Sequence, residues 1–367
     1  MRLGVAAALV DGERIAGDVS IEDGVVTAVG LAGAPRDGTL AVPGYVDNQV
    51  NGMAGHDFLA TDLDGYAEAG AAMAATGVVA YQPTLITSAV EAYREPLRVA
   101  TEAAARPGGP IVAGVHLEGP FLSPSWPGAH DPANLRPPDL RLTEQLLGWG
   151  TVTTMTLAPE LPGALELIDR LAAAGVVVSC GHSDADAAQA HAAYDRGARA
   201  VTHLYNAHRR WQPRDPGLGG VALVRPDVTV QVIFDDVHLA RESGYAAFLA
   251  AGRRFALVTD AMEAATLPPG RYTLGTRTVD VEDGSVRLAD GTLAGSLLTM
   301  DEAVRKLVDA GASLADAVHA ASTAPARLLG RDDLGALRPG APAHLAVLDE
   351  ELRVVRTLVG GREIART

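Results

Sequence analysis

The sequence predicts an α/β protein: parallel β-α units closed into a (β/α)8 barrel, joined to a small β-sandwich domain built from both ends of the chain. Three observations carry the prediction. Apolar strand-like runs alternate with alanine-rich helical stretches through most of the 367 residues, as repeated β-α units do. The polar residues of those runs fall at their C-terminal ends, where barrel enzymes gather functional groups from many strands. Short alternating runs broken by turns, a different kind of β pattern, occur at both ends of the chain.

Residues 1–44 open with that second pattern: in "RIAGDVSIEDGVVTAVG" the Glu22-Asp23-Gly24 stretch reads as the turn of a hairpin. It returns in "HLAVLDEELRVVRTLVGGREI", so residues 1–44 and 341–367 are expected to form one small domain and residues 45–340 the barrel. Within the barrel the predicted strands lie in "VVAYQPTLI", "IVAGVHLEGP", "VTTMTLAP", "VVVSCGHS", "AVTHLYNA", "VTVQVIFDDVH" and "FALVTDAM", with helices such as "DADAAQAHAAYDRG" between them. A doubly wound open sheet is disfavoured, because no G-x-G-x-x-G follows the first strand and no P-loop is present. Residues near 270–295, "GRYTLGTRTVDVEDGSVRLADGTLAG", read as β-hairpins inserted after the last barrel strand.

Composition narrows the partners. A formal net charge of -15 argues against broad affinity for nucleic acid or anionic membranes, although a local basic site for a small anion remains compatible with it. No uncharged apolar segment reaches roughly 18 residues, and Asp11 and Glu13 interrupt any leader-like layout at the start, so a cytoplasmic protein is expected. A single cysteine, Cys180, rules out intrachain disulfides and cysteine zinc fingers, and reads as a small core side chain.

Four strand ends supply the chemistry. Glu118 closes "GVHLEGP", His182 closes "VSCGHS", His203 closes "AVTHL" and Asp260 closes "ALVTDAM". A histidine alone in such a place is more often structural than a ligand, and Asp260 alone would read as a helix cap. Together, one carboxylate and two imidazoles at a barrel mouth match hydrolytic metal sites with three protein ligands and one open position. Asp260 is then left for proton transfer.

With these residues in place, the chain resembles the amidohydrolase superfamily and, within it, the N-acetylglucosamine-6-phosphate deacetylases. "PGYVDNQVNG", "HLEGPFL", "GHSDA", "THLYNA", "RDPGLGG", "LVTDAM" and "DGTLAGSLLTMDEAV" occur in that family's order. The resemblance implies that Glu118, His182 and His203 hold one divalent metal ion, zinc or else iron, and that Asp260 is the general base. It implies further that His130 supports the scissile carbonyl, that His238 contacts sugar hydroxyls, and that Asn206, the Ala207 backbone and Arg214 bind a 6-phosphate. Arg214 acts in its own or a neighbouring subunit of a homodimer. For Arg209 and Arg210 a solvated loop and a phosphate contact stand equally open.

Where many amidohydrolases have His-x-His on the first barrel strand this chain has Gln49 and Asn51, poor zinc ligands, and its only lysine, Lys306, lies in a late helical run. One metal, rather than a bridged pair, is the expectation. His208, where the family commonly has methionine, and Asp236, where it commonly has glycine, are expected near the substrate, as are Gln49 and Asn51. The reaction the resemblance implies is hydrolysis of the acetamide of N-acetylglucosamine-6-phosphate to glucosamine-6-phosphate and acetate, in amino-sugar catabolism. The alternatives are the same chemistry on a different N-acyl amino sugar and, from another class, a catalytically silent barrel serving as a scaffold.

Overall fold

The computed structural model describes residues 1–366 apart from 34 and 36; Thr367, assigned from sequence to the small domain, lies outside the described residues together with those two. Eight parallel barrel strands follow one another: Tyr45–Val50, Val78–Ile86, Val115–Glu118, Val152–Leu157, Val177–Cys180, Ala200–Val201, Thr229–Val232 and Phe255–Leu257. A helix follows each, from Leu63–Ala75 after the first to Met300–Asp309 after the eighth. The second strand shows why these segments become parallel strands: all nine of its residues are buried, because helices cover one face and the barrel interior the other. Helix starts are written in the sequence as aspartates. Asp62 accepts from the Asp64 and Gly65 amides, and Asp186 forms a capping box with Gln189 ahead of Ala187–Asp195.

Closure between the eighth and first strands is made by backbone bonds from the end of the first strand to the segment past the eighth: the Asp260 amide donates to the Gln49 carbonyl at 2.8 Å and the Asn51 amide to the Ala261 carbonyl at 2.7 Å. The seam of the barrel therefore lies at its C-terminal mouth, beside Asp260. Inside the barrel, alternate residues point to the axis. There His116 shares a hydrogen bond with Thr156 at 2.7 Å, and Thr156 and Ser179 both meet the Thr202 hydroxyl, at 2.8 and 2.5 Å. This polar chain forms a satisfied floor beneath the strand ends.

Both chain ends meet in one six-stranded sheet, in the order Glu13–Ala16, Ala7–Val10, Leu40–Pro43, Leu345–Leu348, Val354–Val359, Arg362–Arg366. The hairpin Asp18–Glu22/Val25–Leu31 packs against it around Val19, Ile21, Val26, Leu345 and Leu358. Its turn places Asp23 and Gly24 at φ 50° and 78°, the paired left-handed conformation of a tight hairpin for which Asp-Gly is suited. The insertion before Met300–Asp309 is a three-stranded antiparallel sheet, Gly270–Leu274, Arg277–Glu282 and Ser285–Arg287, with its own apolar cluster around Leu274, Val279 and Val286. No helix among the described residues is long and apolar enough to cross a membrane.

Candidate metal centre and active site

Three of the four strand-end residues singled out in the sequence share an unusual backbone. His182, His203 and Asp260 have φ of 48°, 30° and 50°, a region side chains other than glycine seldom enter and which concentrates at functional sites. Each is turned out of the strand ladder at the barrel mouth. Glu118, the last residue of the third strand, reaches the same point directly.

The result is a tight triangle. Glu118 Oε1 lies 3.0 Å from His203 Nε2 and 3.2 Å from His182 Nε2, and the two imidazole nitrogens are 3.1 Å apart. Tetrahedral zinc bonded at about 2.0–2.1 Å to each ligand sets them roughly 3.3 Å apart, so the triangle has the edge length of one face of such a site. Its chemistry agrees. His182 Nδ1–H donates to the Trp126 carbonyl at 3.0 Å, which leaves Nε2 as a lone pair facing a carboxylate oxygen and another imidazole nitrogen. Lone pairs converging in a buried space call for a cation between them. Burial pulls His203 down, but the hydrogen bond and charge of Glu118 outweigh it and leave its pKa raised. Burial pushes the Glu118 carboxyl up, yet the surrounding imidazoles, His130 first, outweigh it and hold it well below the usual range.

His130 belongs to this cluster by distance, its ligand atom lying with those of Glu118 and His182 within 4.8 Å of one another. Its tautomer sets it apart. The Thr87 amide donates to His130 Nδ1 at 3.1 Å, so Nε2 carries the proton and points toward Glu118 Oε2 at 3.5 Å. A nitrogen that carries its proton offers no lone pair to a metal, so in this tautomer His130 faces the site as a hydrogen-bond donor. His182 and His130 thus stand in opposite tautomers, each assigned by one backbone group.

Asp260 is held by two amides: Asn51 Nδ2 donates to Asp260 Oδ1 at 2.7 Å, and Gln49 Nε2 bridges Asp260 Oδ1 at 3.2 Å and Glu118 Oε1 at 3.1 Å. Gln49 and Asn51 therefore serve as donors to two carboxylates. Burial, then the charge of Glu118, raises the Asp260 carboxyl to about 6. Gly128 lets the loop before His130 pass His182: a Cβ there would lie 2.9 Å from the His182 ring, at φ +56°.

A cavity of about 660 Å³ opens from the triangle, lined by Asn51, His130, Asn206, Ala207, His238 and Asp260 among others. His238 Nδ1 donates to Asp235 Oδ2 at 2.7 Å, leaving Nε2 as an acceptor. Asp235 was missed from sequence, although its place three residues before His238 was a signal. Three arginines line the same cavity: Arg210, and Arg277 and Arg287 from the inserted sheet; the two from the insertion had not been singled out.

Three expected substrate neighbours lie elsewhere. Arg214 is exposed and does not line the cavity. Asp236 is engaged by Arg241 at 2.7 Å and Lys306 at 3.2 Å, outside the lining. His208 is buried behind His203, its Nε2 donating to the Thr202 carbonyl at 2.9 Å. Burial, then the charges of His203 and His182, drives its pKa well below the ordinary histidine value. The expectation of His208 and Asp236 beside the substrate thus meets a physical obstacle: a strand-end loop turns one ring inward, and local ion pairs hold the other carboxylate at the surface.

Fold and site together define a barrel hydrolase of the metal-dependent kind. Residues 40–364 match the amidohydrolase family, and the chain belongs to that family. It is 37% identical over 350 residues to the N-acetylgalactosamine-6-phosphate deacetylase of Escherichia coli O157:H7, covering 93% of each chain. It is 38% identical over 350 residues to the N-acetylglucosamine-6-phosphate deacetylase of Bos taurus, covering 90% of this chain and 85% of that one. Among solved structures it is similar to the N-acetylglucosamine-6-phosphate deacetylase of Thermotoga maritima, with a TM-score of 0.93, 32% identity and full coverage of both chains. A mutant of the Mycobacterium smegmatis N-acetyl-D-glucosamine-6-phosphate deacetylase, in complex with N-acetyl-D-glucosamine-6-phosphate, also superposes with a TM-score of 0.93 at 36% identity, over 100% of this chain and 99% of that one.

Proposed function

We propose that this chain hydrolyses the acetamide of N-acetylglucosamine-6-phosphate to glucosamine-6-phosphate and acetate, as a step of amino-sugar catabolism. The observation that carries the reaction is the triangle of Glu118 Oε1, His182 Nε2 and His203 Nε2, none more than 3.2 Å from another. The substrate is supported by the deacetylases of amino-sugar phosphates to which the chain is similar.

Glu118, His182 and His203 would hold one divalent ion, zinc or iron by the mix of one carboxylate and two imidazoles. When bound, the ion supplies Lewis acidity, lowering the pKa of water and polarising the amide carbonyl. The protein's own groups do the rest. His130 Nε2–H donates to the amide oxygen as negative charge develops there. Asp260 takes the proton from the attacking water and gives it to the amine nitrogen as the C–N bond breaks, so that water and amide become carboxylate and amine with no other reactant. His238 Nε2, fixed by Asp235, accepts from a sugar hydroxyl, while Asn206, the Ala207 backbone and a neighbouring guanidinium hold the phosphate. The exposed Arg214 fits a role across a subunit interface in a cytoplasmic homodimer. Arg214→Ala would then raise KM for the phosphorylated sugar without changing sugar-independent metal content.

The deciding experiment strips metal with a chelator, returns zinc or iron singly, and follows acetate release from a panel of N-acetylated sugars. Activity is expected to vanish and return with metal, and to favour N-acetylglucosamine-6-phosphate. Preference for the galactosamine epimer would move the assignment to the substrate of the Escherichia coli relative, and activity indifferent to chelation would remove the metal mechanism.

A further inference from the structure

His208 and His203 each leave a buried ring nitrogen unused. The ring centres are 5.8 Å apart with planes at 75°, and neither Nδ1 has a hydrogen-bond partner among the described residues. The two nitrogens are complementary. His208 donates through Nε2 to the Thr202 carbonyl at 2.9 Å, so its Nδ1 is an acceptor. His203 turns Nε2 toward Glu118 and His182 at 3.0 and 3.1 Å, so in the ligand tautomer its Nδ1 carries the proton and is a donor. A buried donor and a buried acceptor are each costly to leave unmet, and a single ordered water serves both where direct contact falls short.

We propose that His208 is a positioning residue for His203, accepting its Nδ1–H through one buried water. The link fixes the ligand's tautomer and ring orientation and raises its basicity, as outer partners of metal-bound histidines do. The loop geometry serves this purpose: Ser183 donates to the Ala207 carbonyl at 3.2 Å and Arg209 to the Ser183 carbonyl at 2.9 Å, which pins the backbone on both sides of His208 beside the His182 loop. This inference rests on the metal reading above and adds to it a residue that touches neither the metal nor the cavity.

The test measures how fast bound divalent metal passes from the intact protein to a competing chelator. Glutamine at this position can keep a donor for the Thr202 carbonyl and an acceptor for the water, whereas leucine keeps neither. His208→Leu is expected to lose metal roughly 10- to 100-fold faster than wild type, with His208→Gln close to wild type. His208→Met replaces the leucine variant should that one fail to fold. Urea midpoints of the metal-free proteins separate this from general destabilisation, which would lower the midpoint and leave the release rate of folded protein unchanged. Equal release from wild type and the apolar variant, or release from His208→Gln as fast as from the apolar variant, overturns the proposal. A wild-type protein that binds no divalent metal overturns the metal reading itself, so the two failures are distinct.

Discussion

Asp260 is held by the side-chain amides of Gln49 and Asn51, at positions where many amidohydrolases have histidines. With Asn51 and Gln49 donating to one of its oxygens, the carboxylate is aimed by neutral groups and has its other oxygen left for a proton. Replacement by asparagine keeps size and removes basicity. Asp260→Asn is expected to retain full metal content while kcat falls roughly a thousandfold, within the range of a lost general base; substantial turnover in metal-loaded protein would exclude the proton-shuttle role. Legibility in the sequence varied residue by residue for physical reasons. Glu118, His182, His203 and Asp260 stood out as polar groups ending apolar runs, and they do come together. His208 looked like a site residue by proximity in sequence, but which side of a loop faces a cavity leaves no mark in composition. Asp235 was overlooked because its partner in the "DDVH" turn was judged alone.

At the scale of elements, strand existence was legible and strand ends were not. "VVVSCGHS" and "AVTHLYNA" read as longer strands than the observed Val177–Cys180 and Ala200–Val201. The positive φ of His182 and His203 takes the chain out of the ladder soon after, and hydrophobic pattern cannot report a backbone turn made by a non-glycine residue. The inserted sheet was visible as hairpins, but not what it carries to the site. Arg277 and Arg287 belong to its second and third strands and line the cavity. Exchanging both for alanine is expected to raise KM for a sugar phosphate about tenfold, as loss of charge-assisted bonds does, with little change for an unphosphorylated sugar. Equal effects on both sugars would mean that the sheet shapes the cavity without reading its charge.

Outside the reacting set, Asp18, Asp47 and Asp57 are buried acids among the described residues, and Asp47 is the one that ties the barrel's ends together. Asp47, in the first strand, accepts from the Thr259 hydroxyl at 2.5 Å and the Thr259 amide at 3.2 Å, tying the first strand to the loop after the eighth. Burial foremost raises its carboxyl to about 7 despite those bonds. The unfolded chain ionises it near the ordinary value, whereas the folded chain resists until about 7. Its contribution is therefore full at low pH and declines as pH rises between those two values. Asp47→Asn should accordingly gain on wild type as the pH is raised from 5 to 8, read as the difference in urea midpoint at each pH. A difference constant across that range would mean that Asp47 is ionised throughout in the folded state.

The barrel seam has a consequence for the order in which the molecule can be made. Asp260 and Asn51 are brought together by the bonds that close the barrel, and Leu40–Pro43, paired on one side with Ala7–Val10, finds its second partner in Leu345–Leu348. A nascent chain emerges from its N-terminal end. Through much of synthesis it already contains Glu118, His182 and His203 but not yet Asp260. The small sheet is complete only once the last residues have left the ribosome. The triangle and the carboxylate held by Asn51 thus become available at different moments in the life of a single chain, and the complete site exists only with the barrel shut.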